Sequence, residues 1–99
     1  MKRVIDNPQT CDMGDGTGHY EFEKPTTLKQ FLEGYKATSK SWGVIRIVER
    51  KGTVLRKFDY DTYNDKQFYY HLSWQLDMLV KHVNFRYCFM NEDVSIELQ

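Results

Sequence analysis

Apolar residues along this chain recur at two spacings, one helical and one extended. Between Asn64 and Val83, Phe68, Leu72, Leu76, Leu79 and Val83 fall on one stripe of a 3.6-residue helix, with Tyr69 and Val80 at its edge. That stripe predicts a long helix lying on a core. Lys66, Gln67, Asp77 and Lys81 make its opposite face polar, yet Tyr70 and Trp74 also lie there, one turn apart, and Met78 continues their row toward the flank. A shorter helix is predicted where Leu28, Phe31, Leu32 and Tyr35 recur at i, i+3, i+4 and i+7. Thr27 and Gln30 stand at capping-box spacing at its start, and the pattern fades around Lys36 to Thr38.

Alternation with period two marks the strands. His19 to Glu23 places Tyr20 and Phe22 on one face and Glu21 and Glu23 on the other. Val44–Glu49 and Thr53–Asp59 flank Arg50-Lys51-Gly52 and read as a hairpin. Pairing Glu49 with Thr53 would set Ile47 against Leu55 and, on the reverse face, Val48 against Val54 and Arg46 against Arg56. Farther on, Phe85, Tyr87 and Phe89 share a face opposite Arg86, Cys88 and Met90. Asn91-Glu92-Asp93 reads as a turn before the alternation of Val94, Ile96 and Leu98. Residues 1–17 read as an irregular N-terminal segment and a Gly-rich loop, in which Val4 and Ile5 offer a short edge strand before Asn7-Pro8. The acidic link from Asp59 to Asp65 supplies caps for the long helix.

The expected fold is α+β. Two helices pack on one face of a four- to five-stranded, largely antiparallel sheet in the split βαβ, ferredoxin-like order β-α-β-β-α-β-β. Counting strands from His19, the expected spatial order is 4-1-3-2 with a fifth strand beside the fourth.

Ninety-nine residues suit a single domain, 1–99. The 14 basic and 14 acidic residues cancel, which removes any whole-chain argument for nucleic acid or an anionic membrane. No run approaches the ~20 apolar residues of a membrane span, and Val4 and Ile5 alone do not make a secretory signal. A cytoplasmic protein is therefore expected. Cys11 and Cys88 lack the spacing of a disulfide framework and read as free thiols, Cys88 buried.

Chemistry is harder to find. Gly14-Asp15-Gly16-Thr17-Gly18 has the glycines of an anion cradle, but it opens a strand rather than a helix and lacks the Lys-Ser/Thr ending of a P-loop. Asp12 and Asp15 do not continue into a calcium-loop ladder. His19, His71, His82, Cys11 and Cys88 show no zinc-pair spacing, and Cys11 near His19 lacks an orienting third group. No catalytic residue, metal site or cofactor is expected. Two surfaces remain. Tyr70, Trp74 and Met78 form a candidate partner-binding patch, because aromatic side chains are enriched at binding hot spots. Arg46, Arg50, Lys51, Arg56 and Lys57 form a basic hairpin that could meet nucleic acid, with an aggregation-resistant edge as the plainer alternative.

Gly14-Asp15-Gly16-Thr17-Gly18-His19-Tyr20-Glu21-Phe22, then Pro25-Thr26-Thr27-Leu28 and Phe31, then Trp42-Gly43-Val44-Ile45-Arg46-Ile47 resemble short proteins of prophages and mobile elements from gut bacteria. The likeness covers the first half of the chain. It implies no catalytic residue, only a setting: a small phage or mobile-element accessory protein that binds a host protein, for example to block a defence system. The expected function is accordingly a non-enzymatic protein-interaction module or homo-oligomer, with nucleic-acid binding through residues 46–57 as the alternative.

Overall fold

A computed structural model describes residues 1–10, 14–38, 43–51, 54–61, 75–88 and 91–99, with side chains left undescribed at 36–38, 50, 51, 54–61 and 91. Its strands are β1 (Lys2–Asn7), β2 (Gly16–Glu21), β3 (Val44–Lys51), β4 (Val54–Asp61), β5 (Val80–Cys88) and β6 (Asn91–Leu98). Helix α1 (Leu28–Thr38) and a 3-10 turn, Gln75–Asp77, complete the described elements. All six strands join one sheet in the order β1-β2-β5-β6-β3-β4. β3 runs parallel to β6, and the other pairings are antiparallel.

The helix forms where its cap and stripe say it should. Thr27 N–H donates to Gln30 Oε1 at 3.0 Å while Gln30 N–H donates to Thr27 Oγ1 at 3.2 Å, so two otherwise orphaned amides are satisfied reciprocally. Leu28, Phe31, Leu32 and Tyr35 are then buried against the sheet, where a fully buried Leu or Phe side chain contributes roughly 1.5–3 kcal/mol. Tyr20 meets Phe31 edge-on at 5.3 Å between ring centroids, and Phe31 stacks on Tyr35 at 5.7 Å. Ile45, Ile47, Val83, Phe85, Val94, Ile96 and Leu98 supply the sheet side of this core. Thr26 and Leu28 also exchange backbone hydrogen bonds with residues 78 and 80, which ties the helix entry to the start of β5.

The expectation of two helices on one face of a split βαβ sheet is overturned. Among the described residues α1 is the sole α-helix, and most of those residues lie in the sheet. Residues 64–74 of the anticipated long helix lie outside the described residues, but its end does not: Gln75–Asp77 is a 3-10 turn and Val80–Val83 belongs to β5. The reason is a bulge. The β5–β6 register shifts between Val80 and His82, so Lys81 and His82 are both exposed while Val80 and Val83 both turn inward. An extra residue in a strand thus reproduces the i, i+3 spacing of a helix.

The expected strand order holds for β5 beside β2 and β6 beside β5 but fails for the hairpin. Asn91-Glu92-Asp93 is no turn but the start of β6, which inserts between β5 and β3 and separates the hairpin from β2. The hairpin register also differs from expectation. Lys51 pairs with Val54 and Glu49 with Arg56. A change of odd parity exchanges faces along the whole partner strand. Arg46 therefore lies opposite Asp59, and Arg56 opposite Glu49.

Candidate functional site

Helix α1 covers one face of the sheet, and the other face carries a lattice of polar positions. One row crosses all six strands: Asp59, Arg46, Ser95, Asn84, His19 and Val4 are successive cross-strand partners. Beside it, Asp93 pairs with Arg86, Arg86 with Thr17, and Thr17 with Asn7. Val44 joins this second row by donating its N–H to Asp93 Oδ1 at 2.9 Å. On the far side of the first row, Val48 pairs with Glu97, and Glu97 with His82. Arg46, Asn84, Arg86, Asp93, Ser95 and His82 are all exposed.

A groove of about 540 Å³ runs over Thr17, Arg46, Asn84, Arg86, Asp93 and Ser95. Its lining mixes polar side chains of both signs with the exposed Val44. Arg86 Nε stands 3.9 Å from Asp15 Oδ2, and Lys81 Nζ stands 4.0 Å from Glu97 Oε1, both in solvent. Exposed pairs of this kind add little stability and leave their charges open to competition from a partner.

Toward the β1 edge, His19 bridges two carboxylates. Its Nδ1 is 2.8 Å from Asp6 Oδ2 and its Nε2 is 3.1 Å from Glu21 Oε1. The bond to Asp6, followed by that to Glu21, raises the imidazole pKa above its ordinary value.

The covered face holds a second polar arrangement at the same edge. Arg3 extends from β1 over Phe85, its guanidinium carbon 3.9 Å from the ring centroid, with Tyr87 at 5.8 Å and Tyr20 at 5.9 Å. One guanidinium nitrogen donates to the Tyr20 hydroxyl at 3.0 Å and also pairs with Glu92 Oε1. Tyr35 donates its hydroxyl to Glu92 Oε2 at 2.8 Å. Glu92 is only 4% exposed. Burial by itself lowers the Arg3 pKa, but its bonds to Tyr20 and Glu92 outweigh that and leave it raised. Burial raises the Tyr20 pKa, and the Arg3 bond only partly offsets it.

The residues singled out in sequence divide among these places. Tyr70 and Trp74 lie outside the described residues, as do Cys11 and His71. Met78 is half-buried and packs against the core. It follows the 3-10 turn and does not continue a helical row. Arg46 stands on the face opposite α1, which no element among the described residues covers, whereas the side chains of Arg50, Lys51, Arg56 and Lys57 are undescribed. Cys88 is half-buried rather than buried as expected, and it forms no disulfide among the described residues. The Gly-rich stretch is no open cradle: Gly16 and Gly18 are buried in β2, and the rings of Tyr87 and Phe85 lie where their side chains would be. Among the described residues no cluster of three His, Cys, Asp or Glu could hold a metal ion, and no helix is long and apolar enough to cross a membrane.

Sequence reasoning missed both Arg86 with Asn84 and Arg3 with Glu92. A usable signal existed for Glu92. Extending the inward alternation of Leu98, Ile96 and Val94 by one step reaches it, which makes it a buried acid in need of a cation. No protein-family model, curated protein or solved structure matches this chain.

Proposed function

We propose that this chain is a non-enzymatic interaction module that binds a partner protein on the uncovered face of its sheet, with Arg46 and Arg86 meeting acidic groups and Asp93 meeting a basic one. The observation that carries this reading is the cross-strand polar lattice around the groove. Its charge is mixed, which suits a protein surface of complementary pattern better than a phosphate backbone. Sheet faces that take single-stranded nucleic acid present aromatic rings for base stacking, and this face has no Phe, Tyr or Trp among the described residues. The hairpin register supports the same choice, since Asp59 and Glu49 lie opposite Arg46 and Arg56 in the ladder. The likeness to prophage and mobile-element proteins adds a setting, a cytoplasmic accessory protein acting on a bacterial host protein.

The test is capture from nuclease-treated bacterial lysate by the full-length protein and by an Arg46→Glu/Arg86→Glu variant, followed by affinity measurement with the purified captured protein. The reading expects a partner held by the wild type and bound roughly tenfold or more weakly by the variant. Equal binding by both proteins overturns it. Capture that vanishes on nuclease treatment assigns the chain to nucleic acid instead.

A further inference from the structure

The surroundings of Arg3 have the construction of a receptor for a guanidinium group. Three aromatic rings wall the site, and its floor is a carboxylate held in place by the Tyr35 hydroxyl. Gly16 and Gly18 make the site possible, because any side chain there would displace the Tyr87 and Phe85 rings. The carboxylate is buried, so removing the guanidinium costs either an unpaired charge or the uptake of a proton, and a cation is the better occupant. Planar donors suit that floor better than a rounded ammonium group does.

The occupant is held by one neighbouring strand and by side-chain bonds from Arg3, Asp6 and Asn7. β1 is an edge strand paired with β2 alone, and all of its residues are exposed except the half-buried Val4. Its register slips between Ile5 and Asn7. Residues 8–15 separate it from β2, and Pro8 cannot donate to a sheet ladder. The Arg3 side chain is 40% exposed while that of Glu92 is 5% exposed, so the arginine reaches from the surface to a buried carboxylate.

We propose that this aromatic–acidic receptacle is an exchangeable arginine-binding site, which takes Arg3 of a second copy when two chains trade their β1 strands. The ladder to β2 and the bonds to Tyr20 and Glu92 are the same whichever copy supplies the strand, so exchange keeps those contacts and puts at stake only those of the link, such as Gln9 N–H to the Tyr87 hydroxyl and Asp15 to Arg86. The proposal stands independently of the partner-binding face, which lies on the other side of the sheet.

Full-length Arg3→Ala and Glu92→Gln variants test it, one carrying a fluorescent label. Alone, the first has an intact receptacle without its arginine, and the second has the arginine without its carboxylate. Reciprocal exchange in a mixed dimer restores one native Arg3–Glu92 pair and confines both substitutions to the other receptacle, where no unpaired charge remains. After incubation of an equimolar mixture, light scattering behind size-exclusion chromatography should find a dimer containing both chains, outnumbering either homodimer by roughly tenfold. If either variant is unfolded alone, circular dichroism of the mixture should exceed the sum of the two separate spectra. A mixture that behaves as the sum of its parts overturns the proposal. So does a dimer that forms equally in each variant alone, because its interface would not depend on Arg3.

Discussion

Gly18 lies opposite Phe85 in the β2–β5 ladder, and the phenyl ring occupies the space that a side chain at position 18 would take. A hypothetical Cβ there also collides with the carbonyl oxygen of Val4 on β1. Arg3 rests on that same ring, so the glycine sets the geometry of the whole β1 edge. Replacing glycine in a strand ordinarily stabilises by reducing the freedom of the unfolded chain. Here Gly18→Ala should instead destabilise by about 1–3 kcal/mol through overpacking. Urea denaturation checks the sign as well as the size.

Arg3 and Glu92 should be energetically coupled. Removing the arginine leaves a buried carboxylate held by Tyr35 alone, whereas removing the carboxylate leaves a cation that is partly in water. Arg3→Ala should therefore cost more than Glu92→Gln. The double variant should be more stable than additivity predicts, with a coupling of roughly 0.5–3 kcal/mol toward the lower half of that range because Arg3 is partly solvated. A complete denaturation cycle on the four proteins measures it.

The His19 bridge gives β1 a pH dependence. The pKa of His19 in the folded protein is raised above 6.5, chiefly by the bond to Asp6. Its stabilisation is fully present below about pH 6.5, where both folded and unfolded forms are protonated, and is lost as pH rises through the higher folded value. The stability difference between the wild type and His19→Gln should shrink across that window. Amide exchange in β1 should quicken with it, beyond the intrinsic effect of pH.

The helix start offers a simpler check. Thr27→Ala removes one half of the reciprocal cap with Gln30 and should cost about 0.5–2 kcal/mol. Thr27→Ser should recover most of the loss, as thermal unfolding of the two variants would show.

Helix α1 was legible because cap and stripe agree: Thr27 and Gln30 mark the start, and Leu28, Phe31, Leu32 and Tyr35 all reach the core. β5 was not, because its bulge places Val80 and Val83 three residues apart on one face. The local pattern cannot distinguish that from a turn of helix. Asn91-Glu92-Asp93 has turn chemistry, yet the parallel neighbour β3 draws it into the sheet. The candidate site suffered from the same cause. Arg46 was visible as a basic residue, but its neighbours Ser95 and Asn84 come from strands distant in sequence and became apparent only with the strand order. The hairpin reads as a basic patch from its five Arg and Lys residues, and the expected register set Arg46 against Arg56. The observed register sets each opposite an acid.

The uncovered face is the centre of this account, and mapping a bound partner by amide chemical-shift perturbation on the isotope-labelled full-length chain tests it most directly. The account predicts perturbations concentrated at Thr17, Arg46, Asn84, Arg86, Asp93 and Ser95, around the groove. Perturbations confined instead to the segment containing Tyr70 and Trp74, or to the Lys51–Val54 end of the hairpin, with those residues unmoved, would contradict it.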